Sequence, residues 1–217
     1  MKATPQMTKE LRDRTGAGMM DCKNALEEAG GDAEKAIETL MKKGLAKAAG
    51  KAGRIAADGT IHSYVHAGGR IGVLIEINCE TDFVARGADF RTFVDDVAMH
   101  VAAMNPGYVA ASEIPAEEIE RQRGIFRAQQ EAAGKKAEII DKIVDGQVAK
   151  WKRERCLLDQ PFVKDEDKTV EQVRADLVAK LGENVAIRRF VRWELGEGIE
   201  KRSHDIAADV QKMLGEA

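Results

Sequence analysis

The sequence predicts an α+β fold: an N-terminal three-helix module, a small antiparallel sheet packed with helices, a protruding helical hairpin and a C-terminal helix. Three observations carry this expectation. Apolar residues recur at helical spacing in segments bounded by glycine or proline, they alternate with polar residues over 71–80 and 185–195, and the first alternating run follows a glycine turn. The composition fits a helical protein with few rings, at 44% hydrophobic, 33% charged and 5% aromatic residues.

Along the chain, Thr8 is expected to cap a first helix through Arg14, and Thr15-Gly16-Ala17-Gly18 then turns the backbone. A second helix over 19–29 places Met19, Cys22, Ala25, Leu26 and Ala29 on one stripe. Gly30-Gly31 ends it, and Asp32 caps a third helix carrying Ala36, Ile37, Leu40 and Met41. Residues 1–44 thus form a module near the lower size limit for independent folding, suited to burying a face against a partner. Residues 45–59, rich in Ala, Gly and Lys, read as a linker with some helical content. Lys47, Lys51 and Arg54 have no aromatic residue between them, which favours a solvated tether over a nucleic-acid-binding arm.

Residues 60–114 are expected to form a core hairpin and helix. The strands 60–66 and 71–80 flank Ala67-Gly68-Gly69-Arg70, with Ile71, Val73, Ile75, Ile77 and Cys79 on the core face and Glu76, Asn78 and Glu80 opposite. A helix over 89–104 brings Phe90, Phe93, Val94, Val97, Val101 and Met104 onto that sheet, until Asn105-Pro106-Gly107 stops it. Residues 115–158 read as a helical hairpin, with Ile119, Ile125 and Phe126 on one arm and Ile139, Ile140, Ile143, Val144, Val148 and Trp151 on the other. The core resumes over 159–198 with a strand at 185–195, and 199–217 forms a C-terminal helical module, amphipathic over 203–214.

Lys+Arg number 34 and Asp+Glu 37, for a net charge of −3, which excludes a bulk polyanion binder though not a local basic patch. No apolar run reaches the roughly 18 residues of a membrane span, and the first residues show neither a secretory nor a transit segment, so no membrane association and a cytoplasmic location are expected. Cys22, Cys79 and Cys156 are odd in number and far apart, as in a reducing compartment. Gly16-Ala17-Gly18 lacks the Lys and hydroxyl of a phosphate-binding loop. His62 and His66 share a strand face but at roughly 13 Å, too far for one zinc ion. His100 and His204 are isolated and read as surface or satisfied helical residues. No nucleophile with an adjacent base can be assembled. The expectation is a binding protein rather than an enzyme, with no catalytic residues, no metal and no cofactor.

The run Glu80-Thr81-Asp82-Phe83-Val84-Ala85-Arg86 stands at a strand-to-helix junction. By residue type alone, Phe83 reads as a core residue and Asp82 as a helix cap. A resemblance alters that reading. Leu11-Arg12 with Thr15-Gly16-Ala17-Gly18-Met19-Met20-Asp21-Cys22-Lys23-Asn24-Ala25-Leu26, and Glu76-Ile77-Asn78-Cys79-Glu80-Thr81-Asp82-Phe83-Val84-Ala85-Arg86, are similar without a gap to the two signatures of the elongation factor Ts family. Further resemblance runs through Ala57-Asp58-Gly59, Met99-His100-Val101-Ala102-Ala103, Gln160-Pro161-Phe162-Val163 and Gly196-Glu197-Gly198-Ile199-Glu200-Lys201, and so covers nearly the whole chain.

The resemblance implies a translation elongation factor, a guanine-nucleotide exchange factor that binds elongation factor Tu in its GDP-bound and nucleotide-free states and makes no bonds itself. It implies that Thr81, Asp82, Phe83 and Val84 disturb the magnesium and phosphate site of that GTPase, with Phe83 wedged between two of its helices. Residues 1–44 would be a ubiquitin-associated-like module docking through Met19, Met20 and Lys23, with at least one methionine also packing in the core. A single sheet resembles the short form of the family and implies a homodimer. The alternative is an adaptor that binds a protein or RNA partner through the three-helix module; a nucleic-acid module using Lys47, Lys51 and Arg54 and a metal-dependent enzyme stand behind it.

Overall fold

The computed structural model describes residues 2–199; Met1 and residues 200–217, with His204 and the helix expected at 203–214, lie outside the described residues. The fold is α+β, as expected. The N-terminal module consists of α1 (Pro5–Thr15), α2 (Met19–Glu28) and α3 (Ala33–Lys51). Thr4, not Thr8, caps α1: its hydroxyl accepts the Met7 N–H, and Pro5 occupies the first turn, where no N–H is needed. Thr8 is buried one turn later, its hydroxyl donating to the Thr4 carbonyl. Leu11, Cys22, Ala25, Leu26 and Ala36 make a core of their own, and Asp32 caps α3 through the Glu34 and Lys35 N–H groups, as expected.

The third helix continues well into the stretch expected as a linker, and ends only at Lys51. Its small residues are a packing face: Gly44 and Ala48 are buried where α3 lies against the later helix α8 (Val170–Leu181). A β-carbon at Gly44 would stand 3.4 Å from the Asp176 carboxylate. Small side chains let two helix axes approach closely.

The core sheet has the order β1 (Asp58–Val65), β2 (Ile71–Cys79) and β5 (Val185–Glu194), antiparallel throughout. Val73, Ile75, Ile77 and Cys79 are buried on the expected face, under α5 (Ala88–Met104) and its Phe90, Phe93, Val94, Val97 and Val101. A short helix, α4 (Asp82–Arg86), joins sheet to α5. The hairpin of α6 (Ala116–Ala132) and α7 (Ala137–Arg155) buries Ile140, Val144 and Val148 against Ile119 and Phe126, so its seam closes between its own arms. A small ribbon of β3 (Pro161–Phe162) and β4 (Asp165–Thr169) leads into α8.

One more helix departs from the sequence expectation, and one histidine settles between the two readings given for it. α8 lies within the region 159–198, where the sequence expectation has no helix; Thr169 and Gln172 form a reciprocal capping box at its start and Gly182 ends it at φ 78°. His100 is fully buried and satisfied: its Nδ1 accepts the Val163 N–H at 3.2 Å, so Nε2 carries the proton given to Gln160 Oε1 at 2.9 Å. Its ring stacks on Phe162, fastening α5 to the 160–163 segment.

Candidate functional site

Strand β2 leaves the sheet at Cys79, and α4 begins three residues later. Thr81 caps this helix, its backbone extended and its hydroxyl accepting the Val84 N–H at 3.4 Å. Asp82 is therefore not the cap that its residue type suggests; its carboxylate pairs with Arg86 at 2.8 Å on the open surface, a contact of little stabilising weight. Phe83, a core residue by type, is 83% exposed, whereas Val84 beside it is 7% exposed and joins the main core. Val84 anchors the tip and Phe83 is presented to solvent.

Residues from a distant turn hold the backbone of this tip. The Glu183 carboxylate accepts the N–H groups of Glu80 at 3.1 Å and Thr81 at 3.0 Å, and the Thr81 hydroxyl at 2.7 Å. In return, the Glu80 carboxylate accepts the Asn184 N–H at 2.6 Å and faces the Arg54 guanidinium at 3.5 Å. The Asn184 side-chain amide donates to the Arg54 carbonyl at 2.9 Å, tying in the chain that follows α3. Nothing in the sequence around Glu183 and Asn184 marks this role, because carboxylates partnering backbone across about a hundred residues leave no local signal. Beneath the tip, burial pushes the Cys79 thiol up to about 11, and it donates to the Thr81 carbonyl at 3.2 Å. It stays a neutral thiol, without the thiolate character of a nucleophile.

Met19, Met20 and Lys23 lie on the first turns of α2, and all three are exposed. Neither methionine packs in the core, contrary to expectation. α2 packs on α1 and α3, while α4 packs on β1, β2 and α5, so the two expected contact sets stand on different elements and are not brought into one cluster. His62 Nε2 lies 3.0 Å from Asp95 and His66 Nδ1 3.0 Å from the Tyr64 hydroxyl; among the described residues no group of three or more His, Cys, Asp or Glu is placed to hold a metal ion. Lys47 and Arg54 pair with Asp21 and Glu80. No described helix is long and apolar enough to cross a membrane.

Among the described residues no element covers the outer face of the sheet. Leu74 and Val191 are register partners there, as are Gly72 and Trp193, and Ile61 and Val65 lie on the same side of β1. All five apolar side chains are exposed. Glu76 rims this face, bonded by Arg188 at 2.6 Å and Arg189 at 2.7 Å, which together hold its carboxyl below the ordinary range.

The chain is thus an α+β protein that presents an exposed phenylalanine at a strand-to-helix tip whose backbone is held by Glu183. Comparison with known proteins resolves the class further. Residues 21–197 match the family model described as Elongation factor TS. The chain is 60% identical over 208 residues to elongation factor Ts of Desulforamulus reducens, covering 96% of each chain. It is 56% identical over 211 residues to that of Acetivibrio thermocellus, covering 97% of this chain and 98% of the relative. With that of Citrifermentans bemidjiense it shares 53% identity over 216 residues and the full length of both. This chain belongs to the elongation factor Ts family and is a translation elongation factor.

Proposed function

We propose that this chain is a guanine-nucleotide exchange factor that binds elongation factor Tu in its GDP-bound and nucleotide-free states and promotes GDP release, so that GTP can rebind. The observation that carries this is the exposed Phe83 on a tip whose backbone Glu183 holds. A magnesium ion on GDP phosphates needs near-ideal octahedral geometry, so a wedge that shifts the backbone around it by a small distance loosens the nucleotide. Phe83 is the wedge, Asp82 accompanies it, and Thr81 and Val84 fix its direction. No bond is made or broken by this chain. Tighter binding to the nucleotide-free GTPase than to its GDP form lowers GDP affinity by the same factor, by reciprocity.

Docking falls to Met19, Met20 and Lys23. Exposed methionines suit this because the unbranched, polarizable side chain adapts to an irregular surface. The uncovered face of Ile61, Val65, Leu74, Val191 and Trp193 supports a homodimer, since contiguous exposed apolar surface of this kind marks a contact with another chain. Action is placed in the cytoplasm, where translation proceeds. The internal pairing of Lys47 and Arg54 weighs against a nucleic-acid arm.

The test is release of fluorescent GDP from purified, cognate elongation factor Tu into excess unlabelled GDP. A large acceleration on adding this protein is expected. An unchanged rate with both proteins folded overturns the exchange function and favours an adaptor acting through the three-helix module.

A further inference from the structure

We infer that Glu183 is a positioning residue for the tip: its carboxylate fixes the backbone on which Phe83 is presented, and so sets the saturating exchange rate rather than the affinity of docking. The sheet ladder ends at Cys79, which pairs with Asp58 on one side and Val185 on the other. Glu80 and Thr81 lie beyond it, and no strand holds their N–H groups. One carboxylate takes both, on Oε2, and takes the Thr81 hydroxyl on Oε1.

The hydroxyl is the pivotal contact. Thr81 Oγ1 gives its proton to Glu183 and accepts the Val84 N–H, so Glu183 orients the cap that starts α4. Bonds from N–H or O–H to an ionised carboxylate are roughly twice as strong as neutral ones. The other fastenings of the tip are the buried Val84, the Cys79 thiol donating to the Thr81 carbonyl, the Asn184 N–H donating to the Glu80 carboxylate, and two short-range backbone bonds, Ala85 N–H to the Thr81 carbonyl and Gly87 N–H to the Val84 carbonyl. Of these only the Asn184 bond reaches the start of β5, and it holds Glu80 by its side chain, which leaves the Glu80 and Thr81 N–H groups to Glu183.

The platform behind Glu183 is itself secured. Asn184 is buried, with its N–H on the Glu80 carboxylate and its side-chain amide on the Arg54 carbonyl. A load on Phe83 therefore passes through Thr81 and Glu183 into α8 and β5. A tip that yields instead spends the encounter on its own ordering, and only interaction realised in the strained state of the partner speeds release. This functional consequence rests on the exchange activity proposed above.

The test compares wild type, Glu183→Ala, Glu183→Gln and Phe83→Ala in the GDP-release assay over a range of concentrations, alongside amide hydrogen exchange of each free protein. Glu183→Ala is expected to lower the saturating rate about tenfold, from the lost charge-assisted bonds, and to leave the half-saturating concentration within about twofold. Glu183→Gln keeps one oxygen for both N–H groups but sets an amide NH2 where the Thr81 hydroxyl donates, and is expected to restore the rate only in part. The amides of Glu80, Thr81 and Val84 should exchange about tenfold faster in Glu183→Ala with the rest of the chain unaltered. Normal amide protection at Glu80 and Thr81 in Glu183→Ala overturns the positioning role whatever the exchange assay gives. A wild-type saturating rate in Glu183→Ala, while Phe83→Ala is impaired, overturns its functional part alone. Should Ala disturb the fold, Glu183→Gln decides: slower release with faster exchange of the Thr81 and Val84 amides at wild-type stability supports the role, and wild-type rate with wild-type protection overturns it.

Discussion

Phe83 and Val84 are adjacent, yet one is in water and the other in the core. Residue type gives no warning of this, because an isolated Phe is usually buried; the motif around it was legible only as a resemblance. Glu183 was not legible at all, since its partners are remote in sequence. His100 was half legible: its satisfaction was anticipated, its complete burial was not, because Gln160 and Val163 come from beyond the helical hairpin. Burial holds the His100 imidazole below the usual histidine range, partly opposed by its bond to Gln160. The native chain thus keeps it neutral where the unfolded chain takes a proton. Its contribution to stability is whole above the ordinary value of 6.5 and is lost as pH falls from there through the depressed native pKa. Urea unfolding at about pH 7.5 and about pH 5.5 should show the wild type losing more stability than His100→Asn across that interval; equal losses would contradict it.

Whole elements were legible where one face is buried and the period is long enough to see. The alternation of Val73, Ile75, Ile77 and Cys79 fixes β2, and the stripe from Phe90 to Val101 fixes α5. α8 escaped because its buried Val170, Ala175, Leu177 and Val178 are spread among charged residues; its true signal was the pair of ends, Thr169 with Gln172 and then Gly182. The linker reading of 45–51 failed for a related reason, since alanine and glycine describe a close helix contact as readily as a tether. Gly59 marks a tighter constraint. Its φ is +134°, and a β-carbon there would meet the Ile77 carbonyl oxygen at 2.2 Å and the Asn78 α-carbon at 2.6 Å. Gly59→Ala is expected to cost about 2 kcal/mol or more in denaturant unfolding. Gly72→Ala, where a β-carbon meets nothing within 4 Å, should change stability by less than about 1 kcal/mol. Equal effects of the two would show that the approach of β1 to β2 is looser than described.

At the scale of the whole molecule, a small core sheet is covered on one face and, among the described residues, bare on the other, and the three-helix module and the helical hairpin have cores of their own. That general plan was legible; the bare apolar face was not, because Ile61, Leu74, Val191 and Trp193 are ordinary strand residues until the register aligns them. Light scattering should give twice the chain mass of 23.7 kDa, and Leu74→Glu should return it to a monomer without unfolding; a wild-type monomer at micromolar concentration would remove the homodimer. The central claim is that an exposed aromatic on a stiff tip drives nucleotide release. The most direct measurement is the saturating rate of GDP release from elongation factor Tu with wild type and with Phe83→Ala, each checked for equal thermal stability. Because Phe83 is 83% exposed, its removal should leave stability within about 0.5 kcal/mol. The saturating rate should nevertheless fall by about tenfold or more, as expected for loss of a buried aromatic anchor in the complex. A Phe83→Ala protein that is as stable as wild type and releases GDP as fast would contradict the claim.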